Sequence, residues 1–502
     1  MPVTPMLLTD RLLRSWVRCR RRAWLDQHGP AEQRQWNAHR ALALQEQVQS
    51  FQALIERRPG HGLEAAQAGA EAVVGLRLKG VGPAGLAVEA HPPLLQRTDG
   101  SSRWGDWSYR PVLARQGYRV TREHRLQLAL WGRLLAPLQQ ASVSHGLVVA
   151  GGGRQLQQER LALGGSLQRQ LDESLERLAA DLERPEAPGL VSDRKKCTLC
   201  SWRRVCDQVA AAEGHLSEVS GIGGKRRELL VSQGIRTLAE LAATDPAALA
   251  AQLELADPQH ARQHAAIAAE LVAQAQVQAA GTPQRLDPAP ALPELERAPG
   301  VLLYDIESDP DARDDFLHGF VPLRRLSGST SGSSGPGWSA AEWSAADQYV
   351  PLLALQEHGE QRLWTRLQRL LAAYPDWPIL HYGETESLAL VRLAQRQGAS
   401  EAQIQQLRGR LIDLHARLRH SWRLPVGSYG LKAVAGWLGF AWSQSGVDGA
   451  RCLLWWRQWR QWHRDPGPRG RAAHRHLQQI FLYNRDDSLA SWTVARWLLD
   501  QG

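Results

Sequence analysis

The chain has 502 residues, 43% of them hydrophobic and 22% charged, which is enough for two or three domains with separate cores. It contains no run near the roughly 20 apolar residues a membrane helix needs. Its first residues carry arginines and acids rather than an apolar signal core, so a cytoplasmic protein is expected. A net charge of +9 favours a polyanionic partner. Trp is abundant at 20 and Phe scarce at 5, so many Trp side chains must serve as core rather than as base-stacking platforms.

Residues 7–29 read as a basic helical stretch, with Cys19 among Arg18, Arg20, Arg21 and Arg22. A long helical pattern over 33–57 contains His39. Residues 72–79 and 86–90 read as strands, and 104–115 as two short strand-like pieces. A helix over 124–140 puts Gln127 and Trp131 one turn apart on one face. Residues 143–150 are a further strand. The region, taken as 1–210, closes on Cys197-x2-Cys200-x5-Cys206. Clustered cysteines in a cytosolic chain favour metal ligation over disulfides. Three thiolates at this spacing need a fourth ligand to close a site, and Cys19 is the thiol of this region that could supply it. Zinc or free thiols are the rival readings.

One cysteine near the start and a Cys-x2-Cys-x5-Cys near the end resemble the iron–sulfur RecB-family nucleases, including the CRISPR-associated RecB-like exonucleases. The resemblance implies a restriction-endonuclease-type PD-(D/E)xK α/β domain, stapled by a 4Fe–4S cluster on Cys19, Cys197, Cys200 and Cys206. It also implies a nuclease site: a helix His, a strand Asp, an acid-x-Lys on the next strand, and Gln-x3-Tyr on the following helix. Asp106 matches the strand Asp. Gln127 and Trp131 match the helix pair, with Trp for Tyr, and His39 matches the helix His. At the acid-x-Lys the match fails, because Leu113 stands in the place of the acid and Arg115 in that of the Lys. Leu cannot ligate a cation, and Arg is too basic to exchange a proton. The nuclease site is therefore expected to be degraded, leaving a cluster-bearing domain that grips DNA. Asp106, after Gly105, reads equally as a strand-end turn residue.

Residues 211–280 follow. Gly221-Ile-Gly-Gly between two short helical patterns looks like a helix-hairpin-helix. There, Gly221 and Gly223 let backbone N–H groups approach a DNA phosphate at a helix N-terminus. Lys225 and Arg226 add charge. Such contacts position nucleic acid without reading its sequence; an ordinary helical connector is the alternative. An Ala/Gln-rich helix is expected over 260–280, and the proline-rich 281–299 reads as a linker.

The last region, 300–502, opens on 301–309, Val-Leu-Leu-Tyr-Asp-Ile-Glu-Ser-Asp. In a strand, Asp305 and Glu307 share a face while Ile306 points into the core. Two such carboxylates repel each other and lose hydration, which a hard cation such as Mg²⁺ between them relieves. A strand ending in a solvated acidic turn is the alternative. Further on come a strand at 316–321, a Ser/Gly-rich surface loop at 327–337, and a strand or helix lead-in at 349–355. A helix at 360–374 precedes a strand that runs into a helix at 378–386. Asp413 follows a short apolar run, a short helix covers 430–440, and the final helix carries Tyr483-Asn-Arg-Asp-Asp487. Over 454–464, Trp455, Trp459 and Trp462 read as a core stripe on one helical face, with Arg457, Arg460 and Arg464 elsewhere. Stacking on bases and contacts to phosphates are the alternative for that helix.

This order suggests an RNase H-like α/β fold. Asp-x-Glu on its first strand and Tyr-x3-Asp on its last helix resemble the DEDD 3′–5′ exonucleases in their Tyr-containing form. The whole of 300–502 is similar to the RNase H-like domain fused behind RecB-like domains in a family of nucleases. The resemblance implies Mg²⁺ or Mn²⁺ on Asp305, Glu307 and Asp487, with Tyr483 orienting the attacking water. Where the family has a further Asp, this chain has Glu386, with Glu384 and Asp413 as backups. The four-residue spacing from Tyr483 selects Asp487 over Asp486. The implied chemistry is two-metal phosphodiester hydrolysis. The chain thus reads as an α/β multidomain exonuclease acting on DNA rather than RNA. The alternatives are an RNA exonuclease and a non-catalytic nucleic-acid-binding protein with relic sites.

Overall fold

The computed structural model describes residues 6–501 except 116, 118, 152–155, 257, 313, 327–342 and 345–347. The loop expected at 327–337 lies outside the described residues. The chain divides into two units, Met1–Val209 and Ala210–Gly502.

In the first unit the basic N-terminal stretch is not one helix. Leu7–Thr9 is a strand, and helices Asp10–Arg18 and Arg20–His28 follow. The break falls at Cys19, whose extended backbone caps the second helix while its sulfur accepts from Arg22 N at 3.4 Å. Helix Ala38–Leu54 precedes a six-stranded sheet. Its order is Gly60–His61, Ala72–Val74, Leu94–Ser102, Gly105–Ala114, His145–Ala150, Gln157–Ala162. The second to fourth of these strands are antiparallel neighbours, and the fifth runs parallel to the fourth. A parallel return needs a crossover, which helix Arg122–Gln139 supplies. Residues 104–115 were expected as two pieces and form one continuous strand. Asp106 and Leu113 therefore lie on the same strand, roughly 23 Å apart at about 3.3 Å per residue.

The second unit opens on a 3-10 turn, Leu216–Glu218, followed by helices Gly224–Ser232, Leu238–Ala242, Pro246–Ala256 and Ala261–Ala280. Leu230, Leu249, Leu253 and Leu271 form their shared core, each buried Leu contributing about 2 kcal/mol. The proline-rich segment is not a free linker. Gln284–Arg285 pairs with Trp422–Arg423, and Leu292 and Leu295 are buried in the C-terminal core.

That core surrounds a five-stranded sheet in the order Val350–Leu353, Asp314–Arg324, Gly300–Asp309, Ile379–His381, Leu411–Asp413. The first three strands are antiparallel, and the last two run parallel to Gly300–Asp309. Along the central strand the faces alternate as pleating requires. Val301 and Leu303 share a core with Val494 and Leu498 of the 33-residue helix Pro468–Asp500. Leu302, Tyr304 and Ile306 pack on the opposite side with Leu363 and Leu390, from helices Glu360–Ala373 and Glu384–Arg396. Asp305 and Glu307 consequently face the long helix.

Helix Gly449–Trp462 closes the second unit's core through Trp456 and Trp459. Trp456 stacks on Phe316 at 4.4 Å and on Trp459 at 5.1 Å. The stripe is thus core, but it is Trp456 with Trp459 rather than Trp455, Trp459 and Trp462. Arg457 pairs with Asp309 at 2.7 Å and Arg460 with Glu357 at 2.7 Å. No described helix is long and apolar enough to cross a membrane.

Candidate metal centre

The central strand delivers Asp305 and Glu307, and the long helix delivers Asp487, to one point. One carboxylate oxygen from each lies within 4.8 Å of the others. Glu307 is 7% exposed, while Asp305 and Asp487 are half-buried. Burial, and after it the neighbouring Asp487, holds the Asp305 and Glu307 carboxyls well above the usual range. Burial raises Asp487 as well. Like charges this close cannot all ionise unaided. Among the described residues none of the three forms an ion pair, so a cation is the natural counter-charge. An all-oxygen donor set partly open to solvent fits Mg²⁺ or Mn²⁺.

The acids are individually aimed. Asn484 Nδ2 donates to Asp305 Oδ2 at 2.6 Å, and the Tyr349 hydroxyl donates to Asn484 Oδ1 at 2.8 Å. Trp442 Nε1 donates to Asp487 Oδ1 at 2.6 Å. The adjacent Asp486 is occupied elsewhere, accepting from Ser443 N at 2.8 Å and Ser443 Oγ at 2.6 Å. Tyr483, 5% exposed, hydrogen-bonds Asp487 one turn along the helix, and burial raises its phenol far above the ordinary value. Lys432 sits on helix Leu431–Trp437 with its Nζ 4.8 Å from the Tyr483 ring centroid, and it donates to Val447 O at 2.9 Å. Its charge pulls Glu307 and Asp487 downward, against burial. Asn484, Tyr349, Trp442 and Lys432 are absent from the sequence reading. Asn484, adjacent to Tyr483, is the only one with a local hint.

Glu386 lies in the first turn of helix Glu384–Arg396, after Gly383 at φ +116°. It stands outside the three-carboxylate group, yet its charge reaches Asp305 and Glu307. Burial pushes it up to about 7, and its Oε2 is a buried acceptor with no hydrogen-bond partner. A buried carboxylate oxygen with no donor has room for a cation, although the charges that act on it most are those of Asp413 and Asp315. Asp413, by contrast, is occupied as a helix cap: its Oδ1 accepts from His415 N at 2.9 Å, Ala416 N at 3.2 Å and Gly383 N at 2.9 Å. Glu384 is exposed.

The N-terminal candidates do not converge. Asp106 is exposed at a hairpin end, with Ser101 Oγ 3.5 Å from its Oδ1. Leu113 is 4% exposed in the hydrophobic core. His39 is exposed at the start of its helix, and Gln127 is buried. Trp131 is buried and donates to Asp10 Oδ2 at 2.8 Å. Arg115 donates to Gly117 O and, at 3.1 Å, to Gln157 Oε1. Asp106 and Leu113 thus lie on one strand rather than on neighbouring ones, and Asp106 is the second residue of that strand.

The four cysteines do approach one another. Cys197 and Cys200 lie at and just beyond the turn Arg194–Leu199, and Cys206 lies on helix Arg203–Ala212. Burial, and after it the nearby Cys19, pushes Cys197 up to about 11. Burial also raises Cys19 and Cys206. Cys206 packs with Leu25 and Trp202 in a small satellite core. Among the described residues, three or more ligand atoms gather within 4.8 Å only at the acidic triad.

In the hairpin, Gly221 adopts φ +88°, a Cβ at Gly223 would meet nothing within 4 Å, and helix Gly224–Ser232 has no side-chain cap. Lys225 is exposed, and the Arg226 guanidinium donates back to Gly221 O.

Two family models match the chain. The RNase_H superfamily matches residues 337–499, and the SAM-like helix-hairpin-helix tandem matches residues 213–252. Among curated proteins nothing matches. Among solved structures the chain is similar to one titled "Crystal structure of SSO0001", with 12% identity, 41% of this chain and 89% of that chain covered, and a TM-score of 0.26. The chain is a mixed α/β multidomain protein with a helix-hairpin-helix domain and a C-terminal RNase H-like domain. The RNase H match begins after the Gly300–Asp309 strand, which joins that domain through its pairing with Ile379–His381. Together the two domains suggest a nucleic-acid-processing nuclease.

Proposed function

We propose that this protein is a metal-dependent nuclease that removes nucleotides from a 3′ end of DNA in its C-terminal domain. The reading is carried by the convergence of Asp305, Glu307 and Asp487, from a strand and a helix remote in sequence, on one point. Mg²⁺ or Mn²⁺ held there would supply activation of a water and neutralise charge on the phosphate. Asn484 and Trp442 hold Asp305 and Asp487 in place before substrate arrives, so little reorganisation is needed during reaction. Glu386 adds a carboxylate from a third element. Tyr483 stays a neutral phenol at its raised pKa, so it orients the attacking water as a hydrogen-bond partner rather than as a base. Lys432 offers positive charge to the phosphate at the rim. The water oxygen loses a proton to solvent and bonds to phosphorus as the bond to the leaving 3′ oxygen breaks, and that oxygen takes up a proton from solvent.

For residues 1–210 the order helix, three antiparallel strands, helix, parallel strand supports a RecB-like domain. With Leu113 buried where an acid would be needed, we assign it a binding role. Cys19, Cys197, Cys200 and Cys206 would ligate a 4Fe–4S cluster. Zinc on the same four thiolates is the alternative. Lys225 and Arg226 beside the open glycine turn support DNA binding by the hairpin.

The deciding experiment incubates 3′- and 5′-labelled DNA and RNA with Mg²⁺ or Mn²⁺. Wild type is expected to shorten 5′-labelled DNA stepwise from its 3′ end. Asp305→Asn should do so at least about a hundredfold more slowly. Cleavage that ignores the metal, or that survives Asp305→Asn, refutes the reading. Preference for RNA reassigns the substrate.

A further inference from the structure

The second unit holds a cavity of about 230 Å³ apart from the acidic site. Gly221 and Arg226 of the hairpin form one wall, Glu270 of the Ala261–Ala280 helix another, and Arg419, Arg423 and Tyr429 of the RNase H-like domain the third. The lining thus holds three arginines and one glutamate. Among the described residues none of the three arginines is in an ion pair. Each is nevertheless braced. Arg419 lies 5.6 Å over the Tyr429 ring, Arg423 donates to Gln284 Oε1 at 2.8 Å, and Arg226 donates to Gly221 O. These contacts leave most of each five-donor fork available, and a guanidinium fork matches phosphate oxygens in pairs. Two links connect the cavity to elements of the acidic site. The Tyr382 hydroxyl donates to Tyr429 O at 2.6 Å, and Tyr382 leads into the helix carrying Glu386. Tyr429 itself stands just before the helix carrying Lys432.

We propose that this cavity seats a backbone phosphate of the nucleic-acid strand whose end enters the acidic site, so that the hairpin and the RNase H-like domain grip one strand jointly. The placement of that strand's end rests on the nuclease reading; the phosphate seat does not. The seat holds backbone and reads no base.

The test measures fluorescence anisotropy of a labelled single-stranded DNA oligonucleotide with the full chain, in chelator so that binding is read without cleavage. The variants are Arg419→Gln/Arg423→Gln, Glu270→Gln, and Arg408→Gln as a control on the exposed face of helix Glu401–Arg410. The double variant is expected to bind about tenfold or more weakly, with a shallower salt dependence. Glu270→Gln should bind severalfold more tightly, a gain that misfolding cannot produce, and Arg408→Gln should stay within about twofold of wild type. Wild type that binds no oligonucleotide, a double variant within twofold of wild type, or a Glu270→Gln variant no tighter than wild type overturns the seat. Cleavage is scored separately in Mg²⁺. Arginine-dependent binding without cleavage refutes the nuclease reading and leaves the seat standing. Asp305-dependent cleavage with binding indifferent to the two arginines overturns the seat alone.

Discussion

Asp305 depends on a neighbour that the strand itself does not provide. Asn484 reaches it from the long helix, and the space for Asn484 exists because residue 319, directly across the strand pair from Asp305, is glycine. A Cβ there would come within 2.8 Å of the Tyr349 hydroxyl and nearer still to Asn484 Oδ1. Gly319→Ala should therefore lose about 1–3 kcal/mol by overpacking and drop kcat about tenfold, with KM little changed. Asn484→Ala removes the nearer of the two clashes and leaves the Tyr349 hydroxyl one, so the double variant should regain much of that stability but not the turnover. Urea unfolding and steady-state kinetics check this cycle, and strictly additive stability losses would sink the idea. Glu386 makes a prediction in pH. Its folded value of about 7 lies above the ordinary 4.5, so the fold holds this proton more tightly than the unfolded chain does. The stability it contributes is full below about pH 4.5 and lost as pH rises through about 7. Asp305, Glu307 and Asp487, also raised, act in the same direction. In chelator, the melting temperature of wild type should fall between about pH 5 and about pH 8, and that of Glu386→Gln should fall less. Identical declines count against the assignment.

At the scale of elements, one ion pair fastens helix Gly449–Trp462 to the far end of the acidic strand. Arg457 donates to Asp309 at 2.9 and 2.7 Å, and Asp309 is 6% exposed. Burial works to raise the Asp309 carboxyl, but its hydrogen bonds and charge pairing with Arg457 outweigh it and hold it below the usual range. Removing only the cation leaves a buried charge. The Arg457 side chain is 23% exposed, so solvent softens the loss, and Arg457→Ala should cost about 1–3 kcal/mol at neutral pH. A depressed carboxylate stabilises above its unfolded pKa and ceases to as pH falls through its folded one. The cost should therefore shrink at about pH 3. Urea unfolding at the two pH values measures it, and an undiminished cost in acid excludes the pair as its source.

At the scale of the molecule, acid chemistry and cysteine chemistry belong to different units. Cys200→Ser should abolish iron and acid-labile sulfide in anaerobically purified protein and lower the unfolding transition of the Met1–Val209 unit. Asp305-dependent cleavage should change at most about threefold, since no cysteine of that set lies in the C-terminal unit. Colourless wild type containing zinc would refute the cluster.

Much of the acidic site was legible in advance because its signals are local. Residues 301–309 alternate faces on any pleated strand, so Asp305 and Glu307 share a side whatever surrounds them. Tyr483 and Asp487 share a helical face for the same kind of reason. The N-terminal unit was harder. Residues 104–115 read as two pieces, yet Pro111 sits within one strand, pairing opposite Leu95 just before the parallel pairing with His145–Ala150 begins at Val112, where the strand still has a free edge. The proline-rich 281–299 reads as a linker, because only tertiary packing buries Leu292 and Leu295.

The sequence by itself thus determined the acidic strand, the spacing on the final helix, the hairpin turn and the cysteine set, all of them periodicities or spacings within a short stretch. The tertiary structure decided which atoms aim the acids and which candidates stand apart. Asn484 meets Asp305 across 179 positions and Tyr349 across 135, and separation along the chain says nothing of separation in space until the sheet and the long helix have packed together.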